Sequence, residues 1–428
     1  MRSVPVRVGV LGYGNVGGAL VRLLATDGPT IAARTGVSLE VVRVAVRDVT
    51  EDRRAGLPAG CRLTDDAEAV VIDPDVDVVV EVMGGVEPAR GLVFTALKSG
   101  KPVVTANKEL LADAGAELFE AAVASGVDLL YEASVAGAIP LIRLLRESLA
   151  GERITRVMGI VNGTTNYILT RMSEDGASYD EALGEAQRLG YAERDPTADV
   201  EGLDAAAKAA IVASIAFGTR VVAGDVHREG ITSVSGDDIA VAGRLGYVVK
   251  LLAVAERAGD EVAVRVHPAM VPASHPLASV RDSFNAVFIE GEAVGELMLY
   301  GRGAGGTPTA SAVLGDLVDA AHNLRAGGSV RTSALDRAGV RPIDELSSEY
   351  YLNLDVVDRP GVLAKVATVF GEHGVSIRSM EQEGLDEKAR LVFITHTARE
   401  ADVQATIRDL RRLDAVKRIG SLLRVVAT

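Results

Sequence analysis

The chain has 428 residues, 48% of them hydrophobic, which is enough to bury large cores and suggests about three domains. That excludes a disordered chain and a small disulfide-stapled scaffold. A formal net charge of −14, with no basic stripe interleaved with aromatics, argues against nucleic acid as a partner. A single cysteine, Cys61, permits no intrachain disulfide and leaves no cysteine cluster for zinc, so a reducing, cytoplasmic setting is expected. The histidines at 227, 267, 275, 322, 373 and 396 lack metal-ligand spacing. No apolar run reaches membrane-spanning length, and the opening MRSVPVRVGVLGYG enters a strand without the apolar stretch of a signal peptide. A small-molecule protein with no membrane partner is the default.

In chain order, Val6–Leu11 reads as a short strand, Gly12-Tyr13-Gly14-Asn15-Val16-Gly17 as a glycine turn and Gly18–Ala25 as a helix. Strand, glycine turn and helix give the dinucleotide-binding fingerprint its required context: a tight turn, backbone close to a pyrophosphate, and a helix N-terminus facing the anion. The next strand, Leu39–Val46, ends in Arg47-Asp48. An acid at that place usually holds the ribose 2′-hydroxyl of NAD, whereas Arg47 suits a 2′-phosphate, so NADP(H) is favoured and NAD(H) stays open. Strands at Val76–Val82 and Pro102–Thr105 flank a helix at Glu87–Ser99. Their following loops carry Gly84 and Lys108, which the βαβ rule gathers on the same carboxyl edge as Gly12. A strand at Val127–Tyr131 then leads into Glu132.

From Ile154 a second region begins, with a strand to Val161 and a helix opening at Asn162, for which Asn162 or Thr164 is a plausible cap. The loop GYAERDPTADVEG, Gly190 to Gly202, is rich in carboxylates: Glu193, Asp195, Asp199 and Glu201, with Asp204 just beyond. Lys208 is the only ionisable residue between Ala205 and Thr219 in a run that otherwise reads as a buried helix. Asp204 stands one turn before it on the same face. The ordinary fate of such a pair is a surface ion pair; the apolar neighbours argue instead for a partly desolvated acid or base. Alternating runs at Glu261–Val271 and Ala286–Val294 suggest an α+β domain. A second glycine turn, Gly301 to Gly306 with Gly303 and Gly305, precedes a helix at Thr307–Leu324 that can pack back on the nucleotide domain.

Residues 326–349 lack periodicity and read as a linker. The remainder reads strand Tyr351–Val357, turn Asp358–Gly361, helix Val362–Glu372, strands Val375–Glu383 and Ala389–Thr397, helix Glu400–Arg412 and strand Val416–Val426. That βαββαβ order is ferredoxin-like. The expected fold is therefore α/β, with a Rossmann dinucleotide-binding domain over residues 1–133, an α+β substrate domain over 134–325, and a ferredoxin-like domain over 350–428.

The ordered motifs GYGNVG at 12, TANKELLA at 105, EASVAGAIP at 132, NGTTNYI at 162, GYAERDPTADVEGLDAAAK at 190 and DRPGVLAKVA at 358 resemble those of homoserine dehydrogenases with a C-terminal ACT domain, along essentially the whole chain. The resemblance implies NAD(P)H-dependent reduction of L-aspartate 4-semialdehyde to L-homoserine, toward threonine, methionine and isoleucine. It implies that Lys208 donates the proton and Asp204 orients it, that Lys108 contacts coenzyme and substrate, and that Glu193, with Asp199 in the same network, holds the substrate. It implies a sodium ion at Glu132, Val135, Gly137 and Ile139, the last three through backbone carbonyls, and coenzyme contacts from Gly303 and Gly305. It further implies an ACT module that binds threonine as inhibitor and a homodimer or homotetramer. A catalytically silent metabolite sensor, and another amino-acid dehydrogenase on the same fold, are the competing readings.

Overall fold

The computed structural model describes residues 4–329, 339–385 and 388–426; residues 330–338 of the expected linker lie outside the described residues. The chain forms two compact units. The first takes the residues up to Arg153, Ala210–Ala223 and those from Leu299 to the linker; the second takes Ile154–Ala209, Gly224–Met298 and the residues after the linker. Among the described residues no helix is long and apolar enough to cross a membrane.

In the first unit, strands β1 (Val6–Leu11), β2 (Leu39–Ala45), β3 (Arg62–Thr64), β4 (Val78–Glu81), β5 (Val103–Thr105) and β6 (Leu129–Leu130) form a parallel sheet in the order β3-β2-β1-β4-β5-β6. This doubly wound order reverses between β1 and β4, which makes the carboxyl ends of those two strands the ligand crevice. Helices cover both faces, so Val8, Val10, Val78 and Val80 have no exposed surface. The helix after β1 runs from Asn15 to Thr35, well past the expected Ala25. Pro29 removes one backbone donor without ending it, because Leu20, Val21 and Leu24 are already buried, and the stop comes at Gly36 with φ 75°. By contrast β6 is shorter than expected. The Val127 N–H is drawn back to the Ala122 carbonyl at a helix end, and Tyr131 passes into a 3₁₀ turn, Glu132–Ser134. The helix Gly306–Ala326 supplies Ala310, Val313, Leu317, Ala320 and Ala321 to the same apolar core. Fully burying a side chain such as Val313 or Leu317 stabilises by roughly 1.5–3 kcal/mol, which anchors this late segment to the unit.

The second unit contains β7 (Ile154–Ile160), β8 (His227–Arg228), β9 (Tyr247–Ala258), β10 (Glu261–Pro272), β11 (Phe284–Gly291), the first half of β12 (Gly295–Arg302), β13 (Ser347–Val357), β14 (Ile377–Leu385), β15 (Lys388–Thr395), β16 (Ala398–Arg399) and β17 (Val416–Val425). The main sheet runs β12-β11-β7-β9-β10-β17-β13-β15-β14. β10 was expected to alternate, yet every position after Glu261 is buried, since both of its faces are covered. The same double burial hides β9 in the sequence, where YVVKLLAVAERA shows no period of two. The C-terminal module has strand order β17-β13-β15-β14 with helices Val362–Glu372 and Glu400–Leu410 packed on an apolar core, the ferredoxin-like arrangement the sequence predicts. Its last strand pairs in parallel with β10 through Ala269–Arg424 and Met270–Val425, which makes the module part of the central sheet.

Candidate active site

Three glycines after β1 do different work. Gly12 has φ 105°, and a Cβ there would lie 2.7 Å from the Val82 carbonyl at the end of β4. A methyl on Gly17 would sit on the Gly12 carbonyl oxygen, so only glycine lets the helix pack this close. Gly14 has nothing within 4 Å of where a Cβ would be, which leaves its backbone open to a ligand. The helix that follows has no side-chain cap on its first amides and no acid in its first turn. Its N-terminus is therefore set up for an anion, and the residues fit the pyrophosphate of a dinucleotide. Tyr13 and Val16 pack on the apolar core, and the Tyr13 hydroxyl donates to the Gly56 carbonyl at 3.0 Å. Asn15 is exposed, and its carbonyl is 2.8 Å from where a Gly306 Cβ would lie, so the second glycine turn closes against the first. In that turn Gly305 has φ 124°, and the Gly303 carbonyl lies 2.5 Å from where a Gly137 Cβ would be. Arg47 is exposed just beyond β2, beside Asp48, whose carbonyl accepts from Arg53 at 2.5 Å.

The loop after β4 is held from beneath. Glu81 is fully buried, and its carboxylate accepts from the Met83 N–H at 2.8 Å and the Thr105 hydroxyl at 2.7 Å. Burial is the main reason its pKa is raised. Asn107 donates to the Gly85 carbonyl at 2.7 Å and caps the helix Lys108–Ser125 by accepting from Leu110. These contacts fix Gly84, with φ 78°, and place the half-buried Lys108 at the helix start.

The helix Leu203–Phe217, whose residues up to Ala209 belong to the second unit, carries the expected pair there. Lys208 Nζ donates at 2.7 Å to Asp204 Oδ2 and at 2.7 Å to the Val161 carbonyl, with the two side chains 11% and 9% exposed. The desolvated pair is thus present and is no surface bridge. Asn162 joins it to Asp199: its Nδ2 donates to Asp199 at 2.6 Å and to Asp204 at 2.8 Å, while its Oδ1 accepts from the Thr165 N–H and so caps the helix Gly163–Glu174. Burial, and after it the charge of Asp204, pushes the Asp199 carboxyl up. The rest of the acidic loop does not converge. Asp195 turns back onto Thr197, Glu201 accepts from Thr232, and Glu193 is exposed, its backbone carbonyl accepting from Gln187. The sequence reads Asn162 only as a cap, and neither its bonds to Asp199 and Asp204 nor the holding contacts of Glu81 and Asn107 were expected. The signal for all three is an Asn or Glu at or just past the carboxyl end of a strand, where loops gather.

At the expected cation position, Glu132, Val135, Gly137 and Ile139 are all buried on one loop that turns through positive φ at Ala136 and Gly137. The two Glu132 oxygens accept the Ile142 and Arg143 N–H groups, each at 2.8 Å, and the Ile139 carbonyl accepts from Leu141. Each carboxylate oxygen keeps further lone-pair capacity. Among the described residues no cluster of three or more His, Cys, Asp or Glu could hold a metal, so any ion here would depend on backbone oxygens. One carboxylate with several carbonyls is a donor set that fits a hard cation.

Comparison with known proteins agrees with this geometry. Family models match for the homoserine dehydrogenase NAD-binding domain over residues 12–132, homoserine dehydrogenase over 140–318 and the ACT domain over 350–415. Homoserine dehydrogenase of Corynebacterium glutamicum is 51% identical over 98% of this chain and 95% of its own length. The crystal structure of a homoserine dehydrogenase from Thiobacillus denitrificans superposes with a TM-score of 0.94 at 42% identity, covering 99% of this chain and 98% of that one. A hyperthermophilic archaeal homoserine dehydrogenase in complex with NADPH gives 0.63 at 30% identity over 74% of this chain and 98% of its own. With a Rossmann crevice, a buried Asp204–Lys208 ion pair and a ferredoxin-like module in place, the chain belongs to the homoserine dehydrogenase family: it is an NAD(P)-binding oxidoreductase of amino-acid biosynthesis with a C-terminal ACT domain.

Proposed function

We propose that Lys208 is the proton donor when this enzyme reduces L-aspartate 4-semialdehyde to L-homoserine, and that Asp204 orients it. The observation that carries this is the desolvated ammonium held at 2.7 Å by both Asp204 and the Val161 carbonyl. An ammonium has three donors; two are spent on these fixed acceptors, and the third is left to meet a substrate oxygen. As that oxygen becomes an alkoxide, Lys208 both supplies the proton and stabilises the growing charge. When bound, the coenzyme supplies the hydride. Gly12, Gly14 and Gly17 with the amides from Asn15 onward hold its pyrophosphate, Gly84, Gly303 and Gly305 line its place, and Lys108 contacts coenzyme and substrate. Glu193 holds the substrate's amino group, with Asp199 in the same network.

NADPH is the favoured coenzyme. Arg47 stands exposed at the strand end where a 2′-phosphate would lie, and the archaeal relative binds NADPH. A sodium ion held by Glu132 and the carbonyls of Val135, Gly137 and Ile139 would brace this loop as a fixed charge. Threonine binding to the ACT domain inhibits the enzyme, which works in the cytoplasm as a homodimer or homotetramer. Parallel steady-state assays of the purified chain with NADPH and with NADH, each with and without millimolar threonine, test the reading. Turnover of the semialdehyde with a lower KM for NADPH, and inhibition by threonine, are expected. Failure to oxidise either coenzyme would refute the function, a preference for NADH the coenzyme assignment, and indifference to threonine the regulation.

A further inference from the structure

Two contacts, each made by a buried side chain of β17, tie the C-terminal module to the short segment Glu229–Ser233. The Arg424 guanidinium, 3% exposed, lies 2.8 Å from Glu229 and 2.8 Å from Glu400, whose carboxylate also accepts from the Tyr350 hydroxyl at 2.8 Å. Ser421, three residues earlier on the same strand, donates to the Ser233 carbonyl at 2.7 Å and sits against buried Asp238. On its other side the segment meets the turn that carries Asp199 and leads into Asp204. The Ile231 N–H donates to the Val200 carbonyl at 2.8 Å and the Thr232 hydroxyl to Glu201 at 3.0 Å. Gly230 is packed so tightly that a methyl there would overlap the Val200 carbonyl oxygen, and a Cβ on Gly202 would lie 3.4 Å from the Glu229 carbonyl. At Gly230 backbone therefore lies directly on backbone, so a shift of the segment is passed to the turn. Glu229 is itself fixed to the central sheet by its N–H to the Val266 carbonyl at 2.8 Å.

We propose that Glu229–Ser233 is a strut between the C-terminal module and the acid–base pair, anchored by the Arg424–Glu229 ion pair. Glu229 and Arg424 are then positioning residues for the reaction: they set the Asp199–Gly202 turn, and through it the carboxylate of Asp204 that holds Lys208. A partly buried ion pair of this kind contributes little net stability compared with apolar packing, but it fixes geometry, and losing Glu229 leaves the buried Arg424 guanidinium short of one partner. A displacement of under an ångström at the pair is enough to slow proton transfer. The proposal rests on Lys208 and Asp204 being the acid–base pair.

The test uses the full-length chain with four variants. Glu229→Gln keeps a hydrogen-bond acceptor for Arg424 while removing the charge; Arg424→Gln removes the anchor; Arg424→Lys keeps its charge; and Arg378→Gln cuts the more exposed Arg378–Glu349 pair of the same module as a control. Turnover, the KM for semialdehyde, coenzyme affinity and the melting profile are read for each. Glu229→Gln and Arg424→Gln are expected to lower kcat roughly 10-fold or more with coenzyme affinity unchanged, Arg424→Lys to recover part of the loss, and Arg378→Gln to match the parent. A folded Glu229→Gln with kcat within about twofold of the parent overturns the strut, even if Arg424→Gln fails to fold. An equal loss in Arg378→Gln would also overturn it, by showing a general effect of disturbing the module. Near-normal turnover in Lys208→Ala would instead refute the underlying assignment of the pair.

Discussion

In the first unit the groups open to a ligand around Gly12–Gly17 are backbone amides, presented where side chains are missing; in the second, Asp204 and Lys208 are side chains held by the Asn162 amide, by each other and by one backbone carbonyl. The first kind of site depends on space and dihedral angle, so its weak points are the glycines themselves. The second depends on a set of hydrogen bonds, and each holder is a weak point even where it never meets the substrate. Asn162 is the clearest such holder, because one amide restrains two carboxylates that would otherwise repel each other.

The sharpest way to break the backbone site is Gly17→Val. Its side chain would collide with the Gly12 carbonyl and push the helix N-terminus off the crevice. Losing one or two amide contacts to phosphate, at about 1.5–3 kcal/mol each, should weaken coenzyme binding about 100-fold in a fluorescence titration. Next in size is Asn162→Ala in the side-chain site. Coenzyme affinity should hold while kcat falls about 10-fold, and losing the helix cap should cost about 1 kcal/mol in a denaturant melt. Gly14→Ala sharpens the contrast within the crevice. The position has open space and φ −86°, so stability should stay within about 0.5 kcal/mol of the parent while coenzyme binding weakens about tenfold, because the methyl occupies room meant for the ligand.

The smallest effect is a pH dependence confined to the second unit. Burial would raise the Glu229 pKa, but the His227 hydrogen bond and the Arg424 charge, with smaller help from His267, outweigh it and hold the group at about 2. A carboxylate depressed in the folded state contributes stability above its unfolded pKa and loses it as pH falls toward the folded value. Stability of the parent should therefore decline from about pH 4.5 toward pH 2, and Glu229→Gln should lack that part of the slope in acid melts.

What the sequence made legible follows the same division. The Rossmann order and the ferredoxin-like module were readable because strand, glycine turn and helix recur at short range, and Gly12, Gly14 and Gly17 announce a backbone site directly. Lys208 and Asp204 were readable because a charge in an apolar helix is conspicuous and its partner lies one turn away. The remaining holders were hidden by distance in the chain: Val161 and Asn162 lie more than 40 residues before Lys208, and nothing local to either marks the meeting. The acidic loop misled in the opposite way. The charge density of the loop suggests that its carboxylates act together, whereas Asp195 accepts from Thr197 two residues on, Glu201 from Thr232 in a distant segment, and Asp199 joins Asp204 through Asn162. β9 was obscured because a strand buried on both faces loses the alternation that identifies it, whereas the run of β10 was readable although its burial does not alternate.

The central claim is that Lys208 supplies the proton while the glycine crevice binds coenzyme independently. Lys208→Ala, examined for coenzyme affinity and for turnover of aspartate semialdehyde in the same preparation, tests it most directly. Unchanged coenzyme binding with kcat reduced roughly 100-fold or more is the predicted result. Turnover close to that of the parent would contradict it.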